Sequence, residues 1–311
     1  MINEISTKLF NDYAKILKTQ IDSFGLKIPS NKLTPENIIL SYFNWEKKLI
    51  SQKPRTLYES KELSCPEHLK VPFEQIKNLL RNGGDLSGYL SRNIQKPSKH
   101  DFLLYDWGIH HLHFYSTQSL GQKRSSELLY IFLTEDSVYL IDIKDHDSFE
   151  DIDLLEIIHS NWFHLIEPLW VRNAVGLSNS VTEQERKKLR NCKINVPVVL
   201  KSGKVLTSML LGGGITTLGD SSYASDRLME IQRNISFIGK YLFRNIVEYS
   251  IDDVLLCLFN KYSKFTLTIG IDSQGDLDFV ICDEITGLGA TFNSILEHAK
   301  LMSSSNQKFL K

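Results

Sequence analysis

Along roughly the first 97 residues, apolar positions recur at three- and four-residue spacing, the period of an amphipathic helix. FNDYAKILKTQIDSFGL carries the pattern, and Thr34-Pro35-Glu36 ahead of NIILSYFNWEKKLI supplies an N-cap followed by proline at the first helical position. A third helix is expected from about Pro66 through FEQIKNLLRN, stopping at Gly83-Gly84. The polar segment NIQKPSKH, residues 93–100, then breaks the pattern at Pro97.

From 101 to about 175 the period shortens to that of strands. DFLLYDWGIHHLHFY and ELLYIFLTEDSVYLIDIKDH are rich in β-branched and aromatic residues, and Glu135-Asp136-Ser137 reads as a hairpin turn. SFEDIDLLEIIHSNW follows as a helix, with Ser148 as cap and Asp151 at the capping-box position. Beyond 176 the chain restarts with a capped helix, SVTEQERKKLRNC, and a hairpin about Ser202-Gly203. A long helix is expected over YASDRLMEIQRNISFIGKYLFRNI, and Ser250 opens IDDVLLCLF. A second hairpin turns at Ser273 to Asp276, and a last helix lies near 293–303. The expected fold class is α+β: a helical domain over 1–98, a small antiparallel sheet with one helix over 99–175, and an α+β domain over 176–311.

Composition narrows the function classes only a little. With 42% hydrophobic and 23% charged residues and a net charge of -1, the 311-residue chain is ordinary globular material. Nucleic acid could be met only through local basic stretches such as QERKKLRNCK. The cysteines Cys65, Cys192, Cys257 and Cys282 are far apart and suggest neither a disulfide framework nor a zinc ribbon. MINEISTKLFNDYAKILKTQ carries acids and no continuous apolar run, and no later stretch approaches the roughly 18 apolar residues of a membrane span. A cytoplasmic protein with no membrane partner is expected.

The chemistry concentrates in the histidines: seven of nine lie between 100 and 164, three of them in DWGIHHLHF. Alternation puts His110 with Leu112 and Phe114 on a core face, so His110 reads as a packed residue, while His111 and His113 point to the opposite, open face. The same rule in VYLIDIKDH puts Asp142, Lys144 and His146 with Val138 and Leu140 on that open side, and Arg124 in GQKRSS reaches its rim. Cleavage of RNA by its own 2′-hydroxyl needs a base, an acid and a cation for the phosphorane charge. Histidine titrates near neutral pH and serves either proton transfer, and lysine or arginine serves the charge. His111, His113, His146 and Lys144 are therefore the candidate catalytic residues and Arg124 and Asp142 the candidate substrate-binding ones, with no metal or other cofactor required.

The run GIHHLHF…ELLYIFLTEDSVYLIDIKDHDSFEDIDLLEII resembles the strand, strand, strand, helix half of the RelE-type toxin fold, which belongs with the barnase and EndoU ribonucleases. The resemblance covers about 60 residues and implies a metal-independent ribonuclease of toxin or phage-defence type, with RNA as substrate and a protein partner such as an antitoxin. It departs where RelE-type toxins often carry a basic pair after the last strand, since Asp145-His146 stands there.

Two other readings compete. HxH on a strand is also a metal-ligand spacing, which His146 and Asp142 could complete as a hydrolase site. Alternatively, the histidines are cross-strand polar partners in a non-catalytic interaction module of a defence or regulatory assembly. Elsewhere, LGGGITTLGDSS invites a phosphate-loop reading but lacks Gly-Lys-Ser/Thr and reads more simply as a turn. Arg92, Lys96, Lys99 and His100 form a backbone-binding rim or a solvated linker, ERKKLR an exposed charged face, and His159 a favourable cation at a helix C-terminus.

Overall fold

The structure, a computed structural model, describes residues 2–116, 126–146, 151–176, 181–207, 211–247, 265–271, 277–284 and 289–297. Its helices are α1 (Ile2–Ser23), α2 (Pro35–Glu46), α3 (Lys70–Asn82), α4 (Phe102–Trp107), α5 (Asp153–Asn161), α6 (Phe163–Ile166), α7 (Glu183–Asn191) and α8 (Ser222–Val247), with a further turn over 292–297. Its strands are β1 (Thr56–Glu59), β2 (Ile109–His113), β3 (Glu127–Leu133), β4 (Ser137–Asp145), β5 (Trp170–Val175), β6 (Val198–Val199), β7 (Lys204–Leu206), β8 (Phe265–Ile271), β9 (Leu277–Asp283) and β10 (Gly289–Thr291). The fold class is α+β. Arg124, Ser148, Ser250, Cys257 and the turn at 273–276 lie outside the described residues.

The chain divides into two compact units, Met1–Tyr42 with Asp226–Lys311, and Phe43–Ser225. The boundaries expected near 98 and 175 both fall inside the second unit. In the first, α1 packs on the C-terminal hairpin: Tyr13 stacks on Phe279 at 4.6 Å, and Lys8 Nζ donates to the Phe265 carbonyl at 2.8 Å. Strands β8, β9 and β10 form an antiparallel sheet in the order β10-β9-β8. No helix among the described residues is long and apolar enough to cross a membrane.

The second unit is built around a four-stranded sheet in the order β1-β4-β3-β2. It is mixed rather than antiparallel, because β1 pairs with β4 in parallel. Both faces are covered, which alternation alone did not anticipate. Leu112, Leu129, Ile131, Val138 and Leu140 pack with Leu69, Phe73, Ile76 and Leu80 of the α3 region. Ile109, Leu128, Tyr130, Tyr139 and Ile141 pack with Leu154, Ile158, Trp162 and Ile166 of the α5–α6 region. A bulge in β4 separates the pairs Tyr130↔Asp142 and Ile131↔Leu140, so Ile141 has no opposite number. Its consequence is that Val138 and Leu140 lie on the face opposite Asp142 and Lys144, not beside them.

The expected strand over DFLLYDW is a helix instead. The Asp101 side chain accepts from Leu104 N at 3.1 Å, and Gly108 ends the turn in the left-handed region at φ 70. The glycine loop packs against the end of this helix. Gly212 N donates to the Asp106 carbonyl and Gly214 N to the Tyr105 carbonyl, so those amides hold protein rather than an anion. A Cβ on Gly212 would lie 2.3 Å from the Tyr105 oxygen and 2.6 Å from that of Leu104. Gly212→Ala is thus expected to cost about 1–3 kcal/mol in overpacking, read as a lower urea midpoint at unchanged slope.

Candidate active site

Strand β2 places the three histidines, and cross-strand register settles their faces. His111 pairs with Tyr130 and His113 with Leu128, both on the face covered by α5. The expected open face is therefore closed: His111 keeps 9% of its exposure and His113 only 4%. His146, one residue past β4, is exposed and brings its ring to 5.3 Å from His113, which stands 6.4 Å from His111. The three imidazoles form a chain leading from the sheet interior to the surface.

The first and last members of that chain, His111 and His146, both line a cavity of about 250 Å3, together with His100, Asp101, Phe102, Arg190, Ser91 and Asn93. Arg190 comes from α7, the capped helix expected over SVTEQERKKLRNC, which starts with a capping box between Thr182 and Glu185. The exposed-face reading of ERKKLR holds for Glu185, Lys187 and Lys188 but not for Arg186 and Arg190, which are both only 2% exposed. They share one side of α7 at a four-residue interval, and that side meets Trp107: the Arg190 guanidinium carbon stands 4.2 Å from the ring centroid and that of Arg186 5.8 Å. Arg190 Nε donates to Asp106 Oδ2 at 2.8 Å, which fixes the guanidinium beside the cavity.

The segment carrying His100 is tied down from below. Lys48, buried, donates through Nζ to the carbonyls of Lys96 and Lys99, and burial lowers its pKa to about 8. Of Arg92, Lys96, Lys99 and His100, His100 alone lines this cavity.

Asp142 and Lys144 share the face of His111 and His113 yet belong to a different cavity, of about 390 Å3, with Glu62, Asp153, Glu156 and Lys201. Lys144 Nζ lies 2.5 Å from Asp151 and 4.0 Å from Asp142. Burial raises the Asp142 pKa against the pull of its bond from Ile143 N and of Lys144. The predicted set is thus split: His111, His113 and His146 converge, whereas Asp142 and Lys144 face a carboxylate-rich cleft. Among the described residues, no group of three His, Cys, Asp or Glu donors is placed to hold a metal ion.

His110 stands on the other face, paired with Ile131, and lines a small pocket with Lys48 and Asp101. It is only partly shielded from solvent, yet desolvation pushes its pKa down to about 4, with Asp101 opposing. Unfolded, the ring titrates near 6.5. Both states are neutral above that pH, and below it the unfolded chain takes up the proton first. The contribution is therefore complete above pH 6.5 and lost as pH falls to about 4. Its ceiling is roughly 3 kcal/mol, reduced by the ring's remaining contact with water. Urea midpoints at pH 7 and pH 4.5 should differ less in His110→Phe than in the parent chain. His159 is shifted in the same direction: burial and Lys204, whose Nζ is 3.3 Å away, lower its pKa against Glu156, which works against the cation expected at that helix end.

Sequence reasoning missed Arg190, Asp101 and Phe102 as members of one site. The signals available were the Arg186/Arg190 interval and the Asp101 cap directly before an apolar run. Compared with known proteins, the chain matches no family model, no curated protein and no solved structure at a level that would argue kinship.

Proposed function

We propose that the protein is a metal-independent ribonuclease of toxin or phage-defence type, acting at the cavity lined by His111, His146 and Arg190. The observation that carries this reading is that the imidazoles of His111 and His146 and a guanidinium held by a buried carboxylate border one small cavity, with His100 as a third imidazole in its wall. One histidine takes the proton of the 2′-hydroxyl as its oxygen attacks phosphorus. The other protonates the departing 5′-oxygen, leaving a 2′,3′-cyclic phosphate and a free 5′-hydroxyl, while Arg190 stabilises the pentavalent charge. His113, between the two rings, orients them. The cation is Arg190 rather than Lys144, which is engaged by Asp151. The order β2, β3, β4, α5 agrees with the RelE-type resemblance and supports the reading. A protein antidote of antitoxin type belongs to the same proposal.

The non-catalytic interaction module remains the second reading, favoured by the burial of His113 and His111. Purified protein incubated with total RNA, with and without chelator and beside His146→Gln, separates the two. Chelator-resistant cleavage lost in the variant is expected. Chelator-sensitive cleavage would transfer the chemistry to a metal, and intact RNA in every lane would leave the interaction module.

A further inference from the structure

The cavity has an aromatic wall that proton transfer does not use. The rings of His100 and Phe102 are parallel within 5° at 5.6 Å, and the edge of Tyr105 meets His100 at 6.5 Å. Gly219 backs the imidazole: a Cβ there would stand 3.1 to 3.4 Å from three of its ring atoms, so that side of His100 is closed by backbone. Phe102 is the other member of the parallel pair. It is the first residue of α4, set in place by the Asp101 cap, and is only partly buried against Leu104, Tyr105 and Ile215. Phe102 lines the same cavity as Arg190 and His146.

A flat, rigid, backed ring beside a guanidinium and two imidazoles suits a nucleobase attached to a phosphate. We propose that Phe102 is a base-stacking residue and that the cavity takes single-stranded RNA, with one unpaired base on Phe102 and its phosphodiester at Arg190; this rests on the ribonuclease reading above. Bases in an A-form duplex have both faces covered and cannot reach such a ring, whereas unpaired bases stack on aromatic side chains with little regard to sequence. Specificity is then for strandedness before sequence.

The test uses the full chain and a 2′-fluoro oligonucleotide, which lacks the attacking hydroxyl, as a single strand and as a duplex. Fluorescence anisotropy should show the single strand bound at least about tenfold more tightly. Phe102→Leu, which keeps apolar volume and the fold, should weaken single-strand binding about 5- to 150-fold, and Phe102→Trp should restore it. In cleavage assays the leucine variant should raise KM by a similar factor with kcat little changed. Wild-type binding by Phe102→Leu, or equal use of single strand and duplex, would overturn the inference. RNA cleaved without dependence on Phe102 would remove the platform alone. Phe102-dependent binding with no cleavage would remove the ribonuclease reading alone, and neither binding nor cleavage would remove both.

Discussion

His146→Gln is expected to lower kcat for RNA cleavage about 100- to 10,000-fold, the usual worth of a general acid or base, with KM nearly unchanged. The effect should come without loss of stability. His146 is exposed, and substitutions at such positions usually change folding free energy by no more than about 0.5 kcal/mol. Glutamine retains a polar amide of similar length but cannot transfer a proton at neutral pH. The pH dependence gives an independent check: the wild-type rate should fall on both sides of an optimum, and the variant should lose one limb of the bell. His113→Gln makes the contrast. That ring is buried between β2 and the α5 face, so its replacement should lower thermal stability and activity together. If His146→Gln instead lowers the melting temperature as far as it lowers the rate, the imidazole chain is a packing device and the interaction module is the better account.

The parts of this molecule that could be read from sequence are those specified by local chemistry. The hairpin between β3 and β4 turns at Glu135-Asp136 and that between β6 and β7 at Gly203, which takes φ 81. Thr34 and Pro35 start α2, Gly83 ends α3 at φ 71, and Thr182 with Glu185 caps α7. What could not be read depends on distant partners. Strand β1 is four residues long, mostly exposed, and pairs in parallel with residues some 80 positions later, so it carries no alternation to detect. Phe102–Trp107 is apolar at nearly every position and has neither period, and only the capping by Asp101 and Gly108 decides for helix. For the site, the histidine cluster was legible from composition and spacing. Its environment was not, because the face assignment assumed one wet side to the sheet and an unbroken β4. The α3 region covers one side, the α5–α6 region the other, and the bulge beside Asp142 reverses the parity of everything before it.

The second large effect expected is on stability. Asp106→Ala should destabilise the second unit by about 3–5 kcal/mol, a fall of roughly 10 °C in melting temperature, because it takes from a guanidinium 2% exposed the carboxylate that its Nε holds. A buried charge deprived of its partner is far costlier than the pair's net contribution, since the desolvation of the remaining ion is no longer offset. The double substitution Asp106→Ala, Arg190→Met should therefore recover much of the loss: methionine fills the stem's volume against Trp107 and carries no charge to bury. Recovery of folding would not bring back cleavage, because the cation that meets the phosphorane is gone. Asp106→Asn separates the roles from the other direction. Its amide oxygen still accepts from Nε and keeps the guanidinium in place, so it should lose less stability than the alanine variant and retain measurable kcat. Denaturant unfolding of all three beside single-turnover cleavage decides the matter: if the double variant cleaves RNA as fast as the wild type, Arg190 has no part in the chemistry and its burial serves the fold alone.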